Sequence, residues 1–202
     1  MPKRLEFYFD CSSPWTYLAF TRVHDVVART KADIIWKPIL VGGVFNAVNP
    51  DVYERRAKPD PRKSAYYAKD LEDWASYVGI SIGQPSVFPV NSVRAMRGAI
   101  VALDDGKLVP FARAVFEAYW GDLEDISQAD VLSRIAASVG YDGTEFLQRI
   151  EMPEVKARLR ANTDELITRG GFGSPSMFVN GHDMYFGNDR LTLVEAALVR
   201  GR

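Results

Sequence analysis

The first forty residues show two hydrophobic periodicities in succession. Residues 4–9 alternate and end in aromatic side chains, which predicts a short β-strand. Pro14 suits the first turn of a helix, where its missing N–H costs nothing, and the apolar residues after it recur at helical spacing. Residues 33–40 return to an extended apolar pattern. The chain therefore opens with strand, helix and strand, a parallel crossover that is nearly always right-handed.

A helical pattern then runs from residue 44 to about residue 168. Apolar side chains recur three and four positions apart, and no alternating stretch interrupts them. They are Val93, Met96, Ile100 and Leu103, then Leu108, Ala112, Val115 and Tyr119, then Leu132, Ile135 and Val139. A proline-containing stretch, residues 49–61, leads into this segment, and a glycine turn at residues 170–173 ends it. The pattern predicts a block made only of helices.

The last part of the chain predicts a hairpin and a closing helix. Residues 176–179 and 184–186 are predicted strands, joined at Asn180-Gly181, the strongest two-residue hairpin signal in the chain. A cap at residues 187–189 precedes a helix over 191–199. The order β-α-β, helical block, β-β-α predicts an α/β thioredoxin-like fold with a large all-helical insertion. We expect residues 1–43 and 169–202 to form the thioredoxin-like domain and residues 44–168 the insertion.

Charge and hydropathy exclude several classes of function. The chain has 25 basic and 26 acidic side chains, so its net charge is −1 and nothing indicates nucleic-acid binding. The basic doublets Arg55-Arg56 and Arg62-Lys63 are interpreted as solvated surface. The N-terminus lacks the pattern of a secretion signal, and no apolar run reaches the length of a membrane span. We therefore expect a cytoplasmic protein without a membrane segment.

The metal-binding and disulfide-forming residues are few and scattered. Cys11 is the single cysteine, which excludes an intrachain disulfide and a cysteine-based zinc site. The two histidines, His24 and His182, lie far apart without ligand spacing, so we predict no metal and a structural or surface place for both. Cys11 is interpreted as a small buried residue rather than as a nucleophile.

The start of the first predicted helix is the position of chemical interest. Thioredoxin folds usually carry C-x-x-C there, but this chain has Ser13-Pro14-Trp15-Thr16 and cannot shuttle electrons through its own disulfide. Helix N–H groups, the helix dipole and the Ser13 hydroxyl remain, and together they favour a bound thiolate over the thiol by about 2–4 kcal/mol. The pKa of such a thiol would fall by about 1.5–3. Ser13 is therefore a candidate to hold the thiol of a small cofactor, the alternative being a simple helix cap.

Gly173-Ser174-Pro175 is the second feature of this kind. It directly precedes a predicted strand, where thioredoxin-like folds carry a cis-proline facing the reactive position. The backbone beside such a proline is suited to pair with an extended peptide as an added strand. A short peptide that bears a thiol satisfies both features, and glutathione is the obvious one.

These residues resemble the 2-hydroxychromene-2-carboxylate isomerases and the related kappa-class glutathione transferases, within the DsbA-like branch of thioredoxin folds. The resemblance covers nearly the whole chain. The motifs that carry it are Phe7-Tyr8-Phe9-Asp10, Ser13-Pro14, Gly42-Gly43, Asn49-Pro50, Pro61-Arg62-Lys63, Phe88-Pro89-Val90-Asn91, Arg94-Ala95-Met96-Arg97, Gly171-Phe172-Gly173 and Phe186-Gly187-Asn188-Asp189-Arg190.

The resemblance implies a glutathione site in three parts. Ser13 would touch the sulfur, and the backbone of Ser174 beside Pro175 would pair with the cysteinyl portion. Asn188 and Asp189, at the N-terminus of the last helix, would hold the γ-glutamyl ammonium and carboxylate.

The resemblance also implies the reaction and the remaining contacts. Asn49 and Lys63 would bind elsewhere along glutathione or near the substrate, and Arg62 or Lys63 would hold the carboxylate of a small aromatic acid. The implied activity is glutathione-dependent cis–trans isomerisation in aromatic-hydrocarbon catabolism, such as naphthalene degradation, by a homodimer. A kappa-type transferase or peroxidase is the first alternative, and an inactive thioredoxin-like binding module is the second.

Overall fold

A four-stranded mixed sheet lies at the centre of the protein in the computed structural model, which describes residues 3–201. β1 (Arg4–Phe9) pairs in parallel with β2 (Asp33–Pro38) and antiparallel with β3 (Ser176–Val179). β4 (Asp183–Phe186) pairs antiparallel with β3 and completes the order β2-β1-β3-β4. The four predicted strands, two before and two after the helical segment, are thereby confirmed.

Helices make up most of the remaining chain. They are α1 (Pro14–Thr30), α2 (Val41–Val48), α3 (Asp51–Ala57), α4 (Pro61–Val78), α5 (Val93–Asp104), α6 (Leu108–Phe116), α7 (Ala129–Ser138), α8 (Gly143–Arg149), α9 (Pro153–Thr168) and α10 (Leu191–Arg200). A π-helical turn, Glu117–Gly121, extends α6, and a 3-10 turn, Asn188–Arg190, leads into α10. Residues 44–168 contain no strand, as predicted. None of the helices within residues 3–201 is long and apolar enough to cross a membrane.

The helical segment packs directly on the sheet. Phe9 of β1 lies 5.9 Å from Phe20 of α1, measured between ring centroids, and Phe20 lies 5.2 Å from Phe116 of α6. Met96 of α5 belongs to the same buried cluster. Because this core runs through both segments, their division into two domains stays a prediction, and α2 crosses the predicted boundary between residues 43 and 44.

The opposite face of β1 is covered by α2 and α9. Tyr8 on this face belongs to a network of charged side chains. Tyr8 donates a hydrogen bond to Glu165 Oε1 at 2.7 Å, and Lys37 donates to Glu165 Oε2 at 2.8 Å. Arg169 donates to the Tyr8 hydroxyl at 2.6 Å. Burial acts to raise the pKa of Glu165, but the hydrogen bonds from Lys37 and Tyr8 outweigh it and hold that pKa below its ordinary value.

The β3–β4 connection differs from the predicted two-residue turn. Val179 pairs with Asp183, so the loop contains three residues, and the predicted length was wrong by one. Asn180 and Gly181 do take the left-handed conformation expected of them, with φ of 53° and 85°. Asn180 also accepts a hydrogen bond from the Arg4 N–H through its side chain. This contact holds Asn180 against β1, and the next strand begins only after His182.

Candidate active site

The turn between β1 and α1 is organised by Asp10, which is completely buried. Its Oδ1 accepts a hydrogen bond from the Ser12 N–H at 2.9 Å. Its Oδ2 accepts from the Val41 N–H at 2.8 Å and from the Ser92 hydroxyl at 3.0 Å. Burial raises the pKa of Asp10, and these hydrogen bonds act against that rise. One carboxyl group therefore fixes the turn before α1, the start of α2 and the start of α5.

The sequence singles out Asp10 only as part of the motif Phe7-Tyr8-Phe9-Asp10 and indicates no role for it. The signal that was available is an acidic residue directly after a predicted strand that ends in three aromatic residues. A carboxyl group at such a place must find donors, and here they come from distant parts of the chain.

Ser13 is the N-cap of α1, and its hydroxyl makes two contacts. The oxygen accepts a hydrogen bond from the Thr16 N–H at 3.2 Å, and the hydroxyl donates to the Ser174 carbonyl oxygen at 3.3 Å. The second bond is long, so the proton can turn toward a ligand at little cost. The Trp15 N–H has no acceptor within residues 3–201. Ser13 therefore caps α1, and the cap leaves the hydroxyl proton and one helix N–H for a ligand.

The peptide bond between Ser174 and Pro175 is cis, as expected for this position. The Ser174 hydroxyl accepts a hydrogen bond from the Asp10 N–H at 3.0 Å and lies 2.8 Å from the Thr16 hydroxyl oxygen. The Ser174 N–H finds no acceptor in the described part of the chain. These contacts place an unpaired backbone donor beside the Ser13 hydroxyl, where an extended peptide could pair with it.

A cleft of about 520 Å³ opens in front of these two serines. Its other walls come from the start of α2, from one face of α3 and from residues 88–93, with Phe186 of β4 closing one end. The lining is largely apolar and aromatic. A cleft of this size and character accommodates a small organic ligand.

The π-helical turn fastens the wall at residues 88–93 to the turn before α1. Tyr119 donates a hydrogen bond from its hydroxyl to the Val87 carbonyl at 2.9 Å. Trp120 donates from Nε1 to the Cys11 carbonyl at 2.9 Å, and its ring lies 6.1 Å from that of Phe88. Burial raises the pKa of the Cys11 thiol well above its ordinary value, and the nearby Asp10 adds to the effect. Cys11 is thus a buried, protonated thiol, as interpreted from the sequence.

Asn188 and Asp189 lie next to the cis-proline segment but do not line the cleft within the described residues. The Gly187 N–H donates to the Pro175 carbonyl at 3.1 Å, which connects the start of the 3-10 turn to that segment. The buried Asn188 side chain accepts from Arg22 at 3.4 Å. Asp189 is exposed, and Arg190 donates to it at 2.5 Å.

Three further predicted residues lie away from Ser13. The Asn49 side chain donates to the Phe172 carbonyl at 3.2 Å, beside the cis-proline segment. Arg62 and Lys63 are exposed in the first turn of α4, and neither lines the cleft in the part of the chain that the structure describes. The predicted roles of all three stay predictions.

Arg56 lines the cleft instead, and sequence analysis missed it. The Arg55-Arg56 doublet is interpreted from the sequence as solvated surface, and both side chains are exposed, but Arg56 also lines the cleft. The available signal was the helical spacing of Tyr53 and Arg56, which puts both on one face of α3.

The arrangement fits glutathione on physical grounds. The Ser13 hydroxyl and the Trp15 N–H can both approach a thiolate, and the positive end of the α1 dipole points the same way. The Ser174 N–H is free to pair with the peptide backbone. Within residues 3–201, no group of three histidine, cysteine, aspartate or glutamate side chains could hold a metal ion.

Comparisons with known proteins show which family and which solved structures the chain is similar to. The family model described as a DSBA-like thioredoxin domain matches residues 4–199. The chain is 30% identical over 203 residues to a protein of Pseudomonas putida named 2-hydroxychromene-2-carboxylate isomerase, covering 97% of this chain and 94% of that protein. It is 33% identical over 210 residues to glutathione S-transferase kappa 2 of Caenorhabditis elegans, covering 96% and 92%. The solved structure of a 2-hydroxychromene-2-carboxylate isomerase superposes with a TM-score of 0.83 at 28% identity, covering 98% of this chain and 95% of that chain.

Proposed function

We propose, from the premise that this chain belongs to the DsbA-like thioredoxin family, that it is a glutathione-dependent isomerase. The proposed reaction interconverts 2-hydroxychromene-2-carboxylate and trans-o-hydroxybenzylidenepyruvate during cytoplasmic breakdown of aromatic hydrocarbons. The observation that carries the proposal is the Ser13 hydroxyl beside the unpaired Ser174 N–H at the head of an apolar cleft. Relatives of nearly the same length that are named isomerases support it.

Glutathione, when bound, would supply a thiolate for reversible addition to the conjugated double bond of the ring-opened acid, which would permit rotation about that bond. Ser13 holds that sulfur by turning its proton away from the Ser174 carbonyl. The Trp15 N–H and the α1 dipole add to the stabilisation of negative charge. The apolar lining keeps water from competing for these donors.

The remaining cofactor contacts extend from the cis-proline segment. Ser174 pairs through its N–H with the cysteinyl portion, next to Pro175. Asn188 and Asp189 hold the γ-glutamyl end, which the link between Gly187 and Pro175 supports. Asn49 and Lys63 bind elsewhere along glutathione or near the substrate. We expect a homodimer, which sedimentation at micromolar concentration checks.

A conjugating kappa-type transferase is the second candidate, favoured by the 33% identity to the Caenorhabditis elegans protein. Ser13 would hold the sulfur in the same way, but the thiol would be consumed by an electrophile. The two candidates therefore differ in the fate of glutathione.

Substrate in large excess over glutathione separates them. The absorbance of the trans product is followed while the remaining thiol is titrated. An isomerase forms many equivalents of product at constant thiol. Product formation that stops after one equivalent, with thiol lost in step, identifies a transferase. No turnover with either reaction partner leaves only a binding module.

A further inference from the structure

Arg56 is the only side chain with a full charge among the described residues that line the cleft. Its guanidinium carbon lies 5.6 Å from the ring centroid of Phe45 and 5.4 Å from that of Phe88. Phe45 belongs to α2, and Phe88 to the wall at residues 88–93. Two aromatic rings from different elements thus lie beside the one cation of a cleft whose other described lining side chains carry no full charge.

The charge of Arg56 is not neutralised by the protein. Arg97 and Arg149 form ion pairs with Glu151 and Asp105. No carboxylate oxygen lies within ion-pair distance of Arg56 among residues 3–201. Aromatic faces orient a guanidinium but leave its N–H groups without acceptors, so the planar edge of Arg56 remains available to an anion.

We infer that Arg56 binds the carboxylate of the substrate and makes the cleft selective for planar aromatic acids over neutral electrophiles. A guanidinium matches a carboxylate through two parallel hydrogen bonds, and the rings of Phe45 and Phe88 offer apolar surface to the aromatic part of such an acid. The identity of the acid rests on the proposed function, whereas the carboxylate site itself rests on the geometry of Arg56.

We assign Arg56 to the substrate rather than to glutathione, because the rings that contact Arg56 and the groups expected to bind glutathione lie on different walls of the cleft. Arg56 contacts Phe45 and Phe88. The unpaired N–H beside the sulfur position belongs to Ser174 and is linked to the last helix through Pro175 and Gly187. The two sets of contacts come from different walls.

Equilibrium binding without turnover tests this inference. Cinnamate and its neutral amide, cinnamamide, are titrated into the glutathione-loaded wild type and into the variants R56Q, R56K and R55Q. Arg55 is the matched control, because it is the neighbouring residue of the same charge, is exposed as Arg56 is, and does not line the cleft. We expect R56Q to weaken cinnamate binding by about 10- to 100-fold and to leave cinnamamide binding within about twofold. R56K should fall between, and R55Q should match the wild type.

Three outcomes would contradict the inference. Equal losses for cinnamate and cinnamamide in R56Q would mean that Arg56 only shapes the wall. An equal loss in R55Q would mean a general effect of positive charge. A weaker affinity for glutathione in R56Q with cinnamate binding unchanged would assign Arg56 to the cofactor. If the wild type binds cinnamate through Arg56 but does not isomerise the chromene carboxylate, the proposed reaction fails and the carboxylate site stands.

Discussion

The two sides of the cleft are built in opposite ways. On the side of Ser13, a buried carboxyl group, a helix N-cap and the cis-proline segment are joined by hydrogen bonds of 2.8–3.3 Å. On the side of α3, every residue of the helix except Val52 is exposed. No residue of α3 is buried.

The difference separates two tasks. Chemistry on a thiolate requires groups held to within a fraction of an ångström, and a hydrogen-bonded core provides that precision. Selection among substrates requires a surface whose residues can change without unfolding the protein, and an exposed helix provides that freedom. We therefore expect substitutions on the first side to change stability or rate, and those on α3 to change substrate preference.

Replacing Asp10 by alanine should cause the largest loss. The change leaves the Ser12 and Val41 amides and the Ser92 hydroxyl without their acceptor. Val41 and Ser92 are buried, and each buried donor without a partner costs about 1–3 kcal/mol. We expect a loss of about 3 kcal/mol or more in the free energy of unfolding, measured by urea denaturation. The matched control S92A removes one donor from the same cluster and should cost about 1 kcal/mol. Equal costs for D10A and S92A would contradict the organising role of Asp10.

Replacing Ser13 should separate capping from chemistry. Alanine removes both the hydroxyl and the cap, at about 0.5–2 kcal/mol of stability, whereas glycine at an N-cap costs only a few tenths. Both S13A and S13G should reduce turnover by about 10- to 150-fold, because both lose the donor to sulfur. Glutathione affinity should change little, since most of it comes from the backbone pairing and the γ-glutamyl end.

Thermal unfolding and steady-state kinetics on the same two variants provide the check. We expect S13G to be nearly as stable as the wild type and as slow as S13A. Activity of S13G within twofold of the wild type would mean that Ser13 acts only as a helix cap.

Replacing Asp189 by asparagine should raise the Michaelis constant for glutathione and change turnover less. The γ-glutamyl ammonium is remote from the reacting sulfur, so its contact contributes equally to the ground state and the transition state. R190Q is the matched control, because it breaks the ion pair with Asp189 but keeps the carboxylate. Equal effects of D189N and R190Q would show that the ion pair, and not the cofactor contact, is what matters.

The smallest effect is expected far from the cleft, at Glu165. Its pKa is lowered in the folded state, so its ionised form stabilises the fold above the unfolded value of 4.5, and this contribution is lost as the pH falls through the folded pKa. Because the side chain is more than a third exposed, solvent screening limits the contribution to less than about 1 kcal/mol. Urea denaturation at decreasing pH should show this decline in the wild type and a flatter profile in E165Q.

The sequence predicts the fold and the serine side of the site because their signals are local. The alternation in β1 and the helical spacing in α1 are regular. Ser13-Pro14 stands at the start of α1, and Ser174-Pro175 stands directly before β3. The donors to Asp10 are different, since Val41 and Ser92 lie 31 and 82 residues away from it. No local pattern pairs residues over such distances.

The same reason explains why Arg56 was missed. An exposed arginine in a short polar helix looks like solvated surface until Phe45 and Phe88 are placed beside it. The exposed α3 side of the cleft, to which we assign the substrate preference, is the part of the site whose contacts are hardest to predict from sequence patterns.

The pKa of the bound glutathione thiol tests the central claim most directly. Thiolate absorbance in the ultraviolet is followed against pH for the wild type and for S13G, each saturated with glutathione. We predict that the wild type lowers the pKa of the thiol by about 1.5–3 relative to free glutathione and that S13G loses most of this shift. A bound thiol that titrates in the wild type at the same pH as free glutathione would contradict the account.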